Sequence, residues 1–315
     1  MNPRISVILT TFNGASRGYL RQAIESVLVQ SYDNYELIII DDGSKDNTAE
    51  VCNAYSANEK IKYIYQNNRG LSAARNSGIQ SSSGELICFL DDDDYWHKDK
   101  LKRQAEYFYD TQDNKCGMVF TSLQLVDENG VVIGKQAHVA SGSIYAQLFY
   151  GNIIDAPSSV MIKRDVFKKV GYFREDFLSD EDYELWFRIA KEFNIYSLNE
   201  ELVAYRVHLN KMSNNHSATE FYRYAALYYA IKEAPVEIKE RADKIFSELY
   251  KQIAVKHFRL QNYKEFRKYY KIASAYDSCS KKLFFVKLLS YCPRLNNSVK
   301  HITKKILRIK NISYS

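Results

Sequence analysis

Four consecutive carboxylates, Asp91 to Asp94, follow the apolar run Leu86 to Leu90, which is typical of a buried strand in a parallel sheet. Ligands of open α/β sheets bind at the carboxyl ends of strands, so this position favours function. Two carboxylates about 4 Å apart repel by roughly 4 kcal/mol at the effective dielectric of a protein edge. Because a bound cation would relieve this repulsion, and oxygen ligands suit hard ions, the run predicts a Mg²⁺ or Mn²⁺ site. A solvated acidic turn is the alternative.

A second group of acids, Asp180, Glu181 and Asp182, stands before apolar residues at helical spacing, including Leu185 and Ile189. The dipole of a helix favours negative charge at its N-terminus. An ordinary helix start therefore explains this group as well as a functional role does.

The residues after the first apolar run, Thr10 to Gly14, lack the pattern G-x-G-x-x-G, and no G-x-x-x-x-G-K-[ST] occurs anywhere in the chain. The phosphates of a nucleotide would therefore need another source of positive charge, which a metal on Asp91 to Asp94 would supply. A calcium-binding EF-hand is excluded, because the acids near Gly43 and Gly130 lack its ligand spacing and its final Glu.

The elements that must position these acids alternate between strands and helices. Apolar runs predict strands at Ile5 to Leu9, Leu37 to Ile40 and Ile61 to Tyr65, ahead of the strand that begins at Leu86. Helical patterns separate them. This alternation implies a parallel sheet with right-handed crossovers, a Rossmann-like half-domain in residues 1–95.

The rest of the chain differs from this pattern. Residues 96–215 form a less regular, mixed region in which apolar runs predict further strands: Val119 to Val126, Val131 to Ile133 and Ser158 to Ile162. The chain becomes all-helical after Ser217, so we expect a helical region in residues 216–315. An aromatic stripe in that region is predicted to be buried core: Phe221, Tyr224, Ala225, Tyr228 and Ile231.

Composition indicates an ordinary globular protein. The 315 residues are 46% hydrophobic and 26% charged, enough for one large core or for a core and a smaller domain. The five cysteines are scattered without a C-x-x-C pair, which argues against disulfides and zinc and for a reducing compartment. The N-terminal apolar run is too short for a signal peptide, and no run is long enough to span a bilayer, so a cytoplasmic protein is expected. We expect no nucleic-acid partner.

Basic residues concentrate at the C-terminus. From Lys281 onward there are nine Lys or Arg and no acid, which leaves the first 280 residues at −3 within a net charge of +6. On a helix the apolar residues Val299, Ile302, Ile306 and Ile309 would lie opposite the basic residues Lys300, His301, Lys304, Lys305 and Arg308. This pattern predicts binding to an anionic membrane surface, with docking on the protein itself as the alternative.

Four motifs occur in order along the chain: Ser6 to Asn13, Asp41 to Ser44, Gly70 to Asn76 and Phe89 to Asp94. Together they resemble the motifs of family 2 glycosyltransferases of GT-A fold, and the resemblance extends roughly from Ile5 to Ser213. It implies an α/β fold, with a GT-A Rossmann-like sheet domain followed by a C-terminal helical region. The sheet domain would span residues 1–215, with a nucleotide-sugar half in residues 1–95 and an acceptor half in residues 96–215. The helical region would span residues 216–315 and include the basic amphipathic tail.

The resemblance also implies a donor site. Residues that hold the nucleotide, usually UDP, in this family match Thr11, Asn13, Asp42 and Arg75. Asp91 and Asp93 match the DxD pair, which serves the metal and the ribose. Asp92 stands where the family usually has a small or polar residue, and we assign it to nucleotide-sugar binding. Which of the four acids touches the ion stays open.

Two further positions match motifs of the family. Asp182 matches the Asp of its ED motif, which acts as the catalytic base. The segment Tyr205 to His208 matches its closing motif, so His208 is a candidate ligand of the metal or the pyrophosphate, with a structural histidine as the alternative.

These implications predict an inverting, metal-dependent hexosyltransferase that extends a surface polysaccharide or a lipid-linked oligosaccharide in a bacterium, at the inner face of the cell membrane. The donor would be a nucleotide-sugar, most often a UDP-sugar, and the cofactor Mn²⁺ or Mg²⁺. A nucleotidyltransferase that makes sugar nucleotides is one alternative, although its glycine-rich, basic first loop is missing. A catalytically inactive helical docking protein on the same scaffold is another, which the intact acids at Asp91 to Asp94 and at Asp182 disfavour.

Overall fold

The computed structural model describes residues 2–208, 216–277 and 287. The strands of these ranges form one ten-stranded sheet. Their bounds are β1 Ile5–Thr11, β2 Tyr35–Asp41, β3 Ile61–Tyr65, β4 Leu86–Asp91, β5 Tyr95–Trp96, β6 Cys116–Val126, β7 Val132–Gln136, β8 Ser141–Gly142, β9 Val160–Lys163 and β10 Asn194–Arg206.

Helices connect the strands and continue beyond the sheet. Their bounds are α1 Leu20–Leu28, α2 Thr48–Asn53, α3 Leu71–Ser81, α4 Lys100–Asp110, α5 Tyr145–Leu148, α6 Arg164–Val170, α7 Glu181–Glu192, α8 His216–Glu233, α9 Val236–Lys239, α10 Ala242–Arg259 and α11 Tyr263–Tyr276. Short 3-10 turns occur at Ala15–Arg17 and Pro157–Ser159.

The sheet order is β3-β2-β1-β4-β9-β6-β10-β5, with β7 paired to β6 and β8 paired to β10. Strands β1 to β4 run parallel, as the alternation of strands and helices predicts. In this register Thr11 lies beside Asp41, and Thr10 lies beside Asp91. The carboxyl ends of β1, β2 and β4 therefore meet at one edge of the sheet, and their motifs meet with them.

Burial explains why the first strands are so apolar. Val7, Ile8 and Leu9 are fully buried, although successive side chains of a strand point to opposite faces. The sheet is thus covered on both sides, which is the situation that continuous apolar runs predict. Helix α3 packs closely on β1, because a Cβ at Gly78 would lie 2.3 Å from Cγ2 of Ile8. Only glycine permits this approach.

The second half of the sheet is mixed, as predicted. Strand β6 pairs parallel with β10 and antiparallel with β7 and β9. The strand predicted from Ser158 begins instead at Val160, because Pro157 lacks an N–H donor and starts a 3-10 turn. The sequence patterns do not predict β10, in which the register shifts between Leu198 and Glu201 interrupt regular alternation.

The chain divides into two compact units, one made of Met1–Leu148 and Asn152–Ala226 and the other of Phe149–Gly151 and Leu227–Ser315. The boundary between the units falls within α8, between Ala226 and Leu227. The sequence predicts a boundary between residues 215 and 216, just before that helix. Within the second unit, α10 and α11 pack through four buried residues: Ala254, Phe258, Phe266 and Tyr270.

The predicted aromatic stripe on α8 is buried only in part. Ile231 is buried, but the side chains of Phe221 and Tyr228 are 64% and 49% exposed. The prediction is wrong for these two residues, because the helix buries a face that carries the smaller residues Ala226 and Leu227.

The amphipathic tail predicted between Val299 and Ile309 lies outside the described residues. In the ranges that the structure describes, no helix is both long enough and apolar enough to cross a bilayer.

Candidate active site

The acid run forms a tight turn at the end of β4. The N–H of Asp94 donates to the carbonyl of Asp91 at 3.1 Å. One carboxylate oxygen each from Asp91, Asp93 and Asp94 lies within 4.8 Å of the others. Three oxygen donors at this separation suit a hard divalent ion, so the donor set fits Mg²⁺ or Mn²⁺.

Asp92 is not part of that group and instead contacts the loop after β1. Its Oδ2 accepts a hydrogen bond from Oγ1 of Thr11 at 2.6 Å and lies 3.2 Å from Nη2 of Arg17. A Cβ at Gly14 would lie 2.6 Å from the same oxygen, so the close approach of this loop depends on glycine. Burial, together with the neighbouring Asp93, raises the pKa of Asp92 to about 7 despite the opposing charge of Arg17.

Asp94 is held by hydrogen bonds from the turn before β9 and from the end of β10. Its Oδ2 accepts from the hydroxyl of Ser158 at 2.7 Å, and its Oδ1 accepts from the N–H of Arg206 at 3.0 Å. The side chain of Asp94 is almost fully buried, whereas that of Asp91 is 27% exposed. Structural hydrogen bonds thus occupy Asp94, and Asp91 is more accessible to a ligand.

His208 lies at the acid turn, where the closing motif implies it. Its Nε2 is 2.8 Å from Oδ2 of Asp93, and both side chains are largely buried. Arg206, two residues earlier, donates from Nε to the carbonyl of Asp93 at 3.0 Å and from Nη2 to Oε1 of Gln22 at 2.6 Å. The end of β10 is thereby joined to the acid turn and to α1.

Asp42 connects the end of β2 with the start of α3. Its Oδ1 accepts from Nε2 of Gln66 at 2.7 Å and from the N–H of Arg69 at 2.9 Å, and its Oδ2 accepts from the N–H of Gly70 at 2.8 Å. The carboxylate of Asp42 therefore stabilises the loop between β3 and α3. Gly70 has φ +89°, a conformation that favours glycine.

Asn13 connects the first two motifs. Its backbone is left-handed, with φ +52°, which Asn tolerates better than most residues. The N–H of Asn13 donates to Oγ of Ser44 at 2.8 Å, and its Oδ1 accepts from the N–H of Lys45 at 2.8 Å. The loops after β1 and β2 are thus fixed to each other at the sheet edge.

Arg75 lies at the centre of the site. Although its guanidinium is charged, the residue is only 1% exposed. Its Nη2 is 2.8 Å from Oδ1 of Asp91, and its Nη1 is 2.5 Å from Oε1 of Glu181. One buried cation thus joins the acid turn after β4 to the N-terminus of α7.

Asp182 occupies the first turn of α7, directly after Glu181. The side chain is half-buried, and its Oδ1 accepts from the N–H of Tyr183 at 2.7 Å. Burial and the carboxylates of Glu181 and Asp180 raise the pKa of Asp182 well above its usual range, and Arg75 opposes this effect. A carboxylate whose pKa is raised toward the working pH is suited to general-base chemistry.

Direct contacts join some of the predicted residues: Thr11 contacts Asp92, Arg75 contacts Asp91, and His208 contacts Asp93. Asp42 and Asp182 instead accept hydrogen bonds from neighbouring backbone N–H groups. The sequence patterns assign no individual role to four further residues that make contacts at this site: Arg17, Ser158, Glu181 and Arg206. Glu181 and Arg206 stand beside predicted residues within recognised motifs, which was the available signal. Arg17 and Ser158 offered no signal, because their contacts with the acid turn are long-range.

A model of the family described as glycosyl transferase family 2 matches residues 6–171. The chain belongs to this family. The glycosyltransferase is 31% identical over 232 residues to an uncharacterized glycosyltransferase of Rickettsia typhi, covering 72% of this chain and 71% of the relative. It is 32% identical over 216 residues to TuaG of Bacillus subtilis, a glycosyltransferase named for teichuronic acid biosynthesis, covering 68% of this chain and 82% of TuaG.

Solved structures share the fold of the glycosyltransferase. S. aureus TarS in complex with UDP-GlcNAc superposes with a TM-score of 0.66 at 18% identity, covering 97% of this chain and 89% of that one. The mannosyltransferase PcManGT of Pyrobaculum calidifontis, in complex with GDP-Man and Mn²⁺, gives 0.63 at 17% identity, covering 98% and 85%. The predicted GT-A fold with a C-terminal helical region is confirmed.

Proposed function

We propose that this glycosyltransferase moves a sugar from a nucleotide-sugar donor to a hydroxyl of a glycan acceptor, with inversion at the anomeric carbon. The observation that carries the proposal is the position of Arg75, which pairs with Asp91 in the acid turn and with Glu181 at the start of α7. A donor held at the acid turn would therefore lie beside the helix that carries Asp182.

The donor is assigned to the sheet edge where β1, β2 and β4 end. The proposed nucleotide-sugar residues are Thr11, Asn13, Asp42, Arg75, Asp91 and Asp92. Their common position supports this assignment, because ligands of such sheets bind outside the carboxyl ends of the strands. A UDP-sugar is the proposed donor, and the UDP-GlcNAc complex of TarS is consistent with it. The GDP-Man complex of PcManGT makes GDP-sugars the first competitors to test.

Asp91 and Asp93 are the proposed ligands of Mn²⁺ or Mg²⁺, and His208 is the proposed third ligand through its position beside Asp93. Such an ion, when bound, supplies positive charge to the leaving diphosphate. Asp94 is assigned a supporting role instead, because it already accepts hydrogen bonds from Ser158 and from the backbone at β10. The two carboxylates of this set are ligands that a hard ion prefers.

Asp182 is the proposed general base. It would accept the proton of the acceptor hydroxyl while that oxygen bonds to the anomeric carbon and the bond to the diphosphate oxygen breaks. This single displacement inverts the anomeric configuration and needs no covalent nucleophile. A positioned base contributes about 10²- to 10⁴-fold to such a step.

The proposed acceptor is a surface polysaccharide or a lipid-linked oligosaccharide, and the assignment of TuaG to teichuronic acid biosynthesis supports it. A peripheral position on the inner face of the cell membrane stays a prediction, because the basic segment that would bind anionic lipid lies outside the described residues.

A donor screen tests the proposal. Release of the nucleoside diphosphate is measured for UDP-, GDP- and dTDP-sugars with Mn²⁺ and with EDTA. Asp182→Asn should bind UDP and Mn²⁺ as wild type does but release the diphosphate at least about 100-fold more slowly. Asp165→Asn is the matched control, since this carboxylate is 82% exposed on α6 and outside the site.

Four outcomes would contradict the proposal. Full activity in EDTA would exclude the metal, and a near-normal rate for Asp182→Asn would exclude the base. Pyrophosphate formation from a nucleoside triphosphate and a sugar phosphate would support a nucleotidyltransferase. Nucleotide binding with no turnover of any donor would support an inactive scaffold.

A further inference from the structure

The N-terminal half of α8 packs on the segment that leads into α7. The rings of Phe177 and Tyr222 lie 5.4 Å apart, measured between centroids. The hydroxyls of Ser179 and Thr219 are 3.3 Å apart, within hydrogen-bond distance. These residues all belong to the first compact unit. Helix α8 lies beyond residues 6–171, which the family model matches.

An ion pair lies at the centre of this packing. Nη2 of Arg223, on α8, is 2.6 Å from Oδ1 of Asp180, and Nε of the same arginine is 3.1 Å from that oxygen. The Asp180 side chain is only 5% exposed. Asp180 immediately precedes α7 and has φ +50°, a left-handed conformation that costs free energy for a residue other than glycine. The guanidinium of Arg223 also lies 5.8 Å from the ring centroid of Tyr183.

The three successive acids at the start of α7 have three different partners. Asp180 pairs with Arg223 from α8, and Glu181 pairs with Arg75 from α3. Asp182 accepts a backbone hydrogen bond from Tyr183 instead, and no ion pair to it is formed among the described residues. Arg223 from α8 and Arg75 from α3 thus hold the two acids that precede Asp182.

We propose that Arg223 is a positioning residue for the reaction: its ion pair with Asp180 fixes the start of α7 and neutralises the carboxylate of Asp180, which acts on Asp182. The inference rests on the proposed function of Asp182 as the base. The proposed role belongs to a residue of α8, a helix that lies beyond residues 6–171, the range that the family model matches.

The charges around Asp182 define what the ion pair should do. The titratable and charged groups that act on Asp182 are Asp180, Glu181 and Tyr183 beside it and Arg75 from α3. The negative charge of Asp180 raises the pKa of Asp182. Because Arg223 offsets this charge, its loss should raise the pKa of Asp182 further, whereas loss of the Asp180 charge should lower it.

The two partners of one ion pair therefore predict opposite effects on the pH profile. Activity is measured as UDP release from UDP-GlcNAc at saturating Mn²⁺, with water as the acceptor, since Asp182 must be deprotonated for either acceptor. In Arg223→Ala the acid limb of the profile should move to higher pH by about 0.5 to 1 unit, and in Asp180→Asn it should move to lower pH by a similar amount. Arg223→Lys keeps the charge and should keep the wild-type limb.

Control variants test separately whether Arg223 acts on Asp182 and whether Asp182 is the base. Lys232→Ala removes an exposed cation from the same helix and should leave the profile unchanged. In Asp182→Asn the acid limb should disappear; if the limb and the rate persist, the proposed base is wrong. If Asp182→Asn behaves as expected but Arg223→Ala and Asp180→Asn shift the limb in the same direction, or leave it in place, Arg223 does not act on the base. Matching circular dichroism spectra for all variants would exclude a general loss of fold.

Discussion

Arg75 and Glu181 stand 106 residues apart in the chain, yet Nη1 of Arg75 lies 2.5 Å from Oε1 of Glu181. The same guanidinium is 2.8 Å from Asp91. The two contacts of Arg75 join β4, which ends in the acid turn, to α7, which carries the proposed base. Their loss should therefore affect stability and activity together.

Arg75→Met should destabilise the protein by about 3 kcal/mol, because it leaves the carboxylate of Glu181 buried and uncompensated. Urea unfolding followed by tryptophan fluorescence measures this effect, since Trp96 and Trp186 both lie in the first unit. Arg75→Lys should recover part of the stability but little activity, because an ammonium cannot form the fork that reaches both acids.

A surface arginine provides the control for this measurement. Arg103 pairs with Glu106 and Glu200, but its side chain is 46% exposed. Arg103→Met should lower the free energy of unfolding by less than about 1 kcal/mol, because exposed ion pairs generally contribute no more than that to stability. Equal losses of unfolding free energy in Arg75→Met and Arg103→Met would show that the ion pairs of Arg75 contribute no more to stability than exposed ones.

The acids Asp91 to Asp94 should differ in function, and the amide variants of Asp92 and Asp93 test this difference. Asp93→Asn should weaken Mn²⁺ binding by about 10-fold or more, because an amide is a poorer ligand than a carboxylate for a hard ion. Asp92→Asn should change Mn²⁺ affinity by less than about threefold, since Asp92 contacts Thr11 and Arg17 instead of the other acids. Calorimetric titration with Mn²⁺ in the presence of UDP measures both affinities. A greater loss for Asp92→Asn would reverse the assignment.

Asp42→Asn should weaken binding of UDP by about 10-fold, because the amide NH₂ group would face the N–H of Gly70 and leave a buried donor unsatisfied. Asp46→Asn is a close control, since Asp46 also accepts backbone N–H groups, from Ser16 and Thr48, and is not among the proposed donor residues. Titration of both variants with UDP compares them. Equal affinities would remove Asp42 from the nucleotide site.

The sequence alone predicts the first, parallel half of the sheet well. Strands β1, β2 and β4 are continuous apolar runs, because the sheet buries both of their faces, and such runs are hard to mistake. The polar residues that follow each strand then meet at one edge by topology. The resemblance to the family assigns Thr11, Asp42 and Asp91 to one donor site, and the parallel register of these strands explains why they lie at one edge.

The second, mixed half of the sheet is less predictable for a physical reason. Strand β10 includes Glu200 and Glu201 and shifts register near them, so neither an apolar run nor regular alternation marks it. This strand nevertheless delivers Arg206 and His208 to the acid turn. Which acid pairs with which arginine is also a tertiary property. The motif indicates that Glu181 and Asp182 matter, but only the position of α3 decides that Arg75 pairs with Glu181.

Lys100 should make stability depend on pH in a narrow alkaline window. The residue is fully buried on α4, its Nζ is 4.0 Å from the ring centroid of Trp96, and it donates to Oε1 of Gln104 at 2.7 Å. Burial lowers the pKa of Lys100 from 10.5 to about 8. Between these two values the unfolded chain holds the proton that the folded protein has lost, so stability should rise with pH by about 3 kcal/mol across the window.

Lys100→Met removes the titrating group while keeping a side chain of similar volume. The difference in free energy of unfolding between wild type and Lys100→Met should therefore move in favour of wild type as the pH rises from 8 to 10.5. Urea unfolding at a series of pH values measures this difference and cancels the titration of other groups, which both proteins share. Lys102→Met, at an exposed position on the same helix, is the control and should keep the pH dependence of wild type. Parallel curves for wild type and Lys100→Met would mean that Lys100 is protonated in the folded protein throughout the window, held by Trp96 and Gln104 strongly enough to offset its burial.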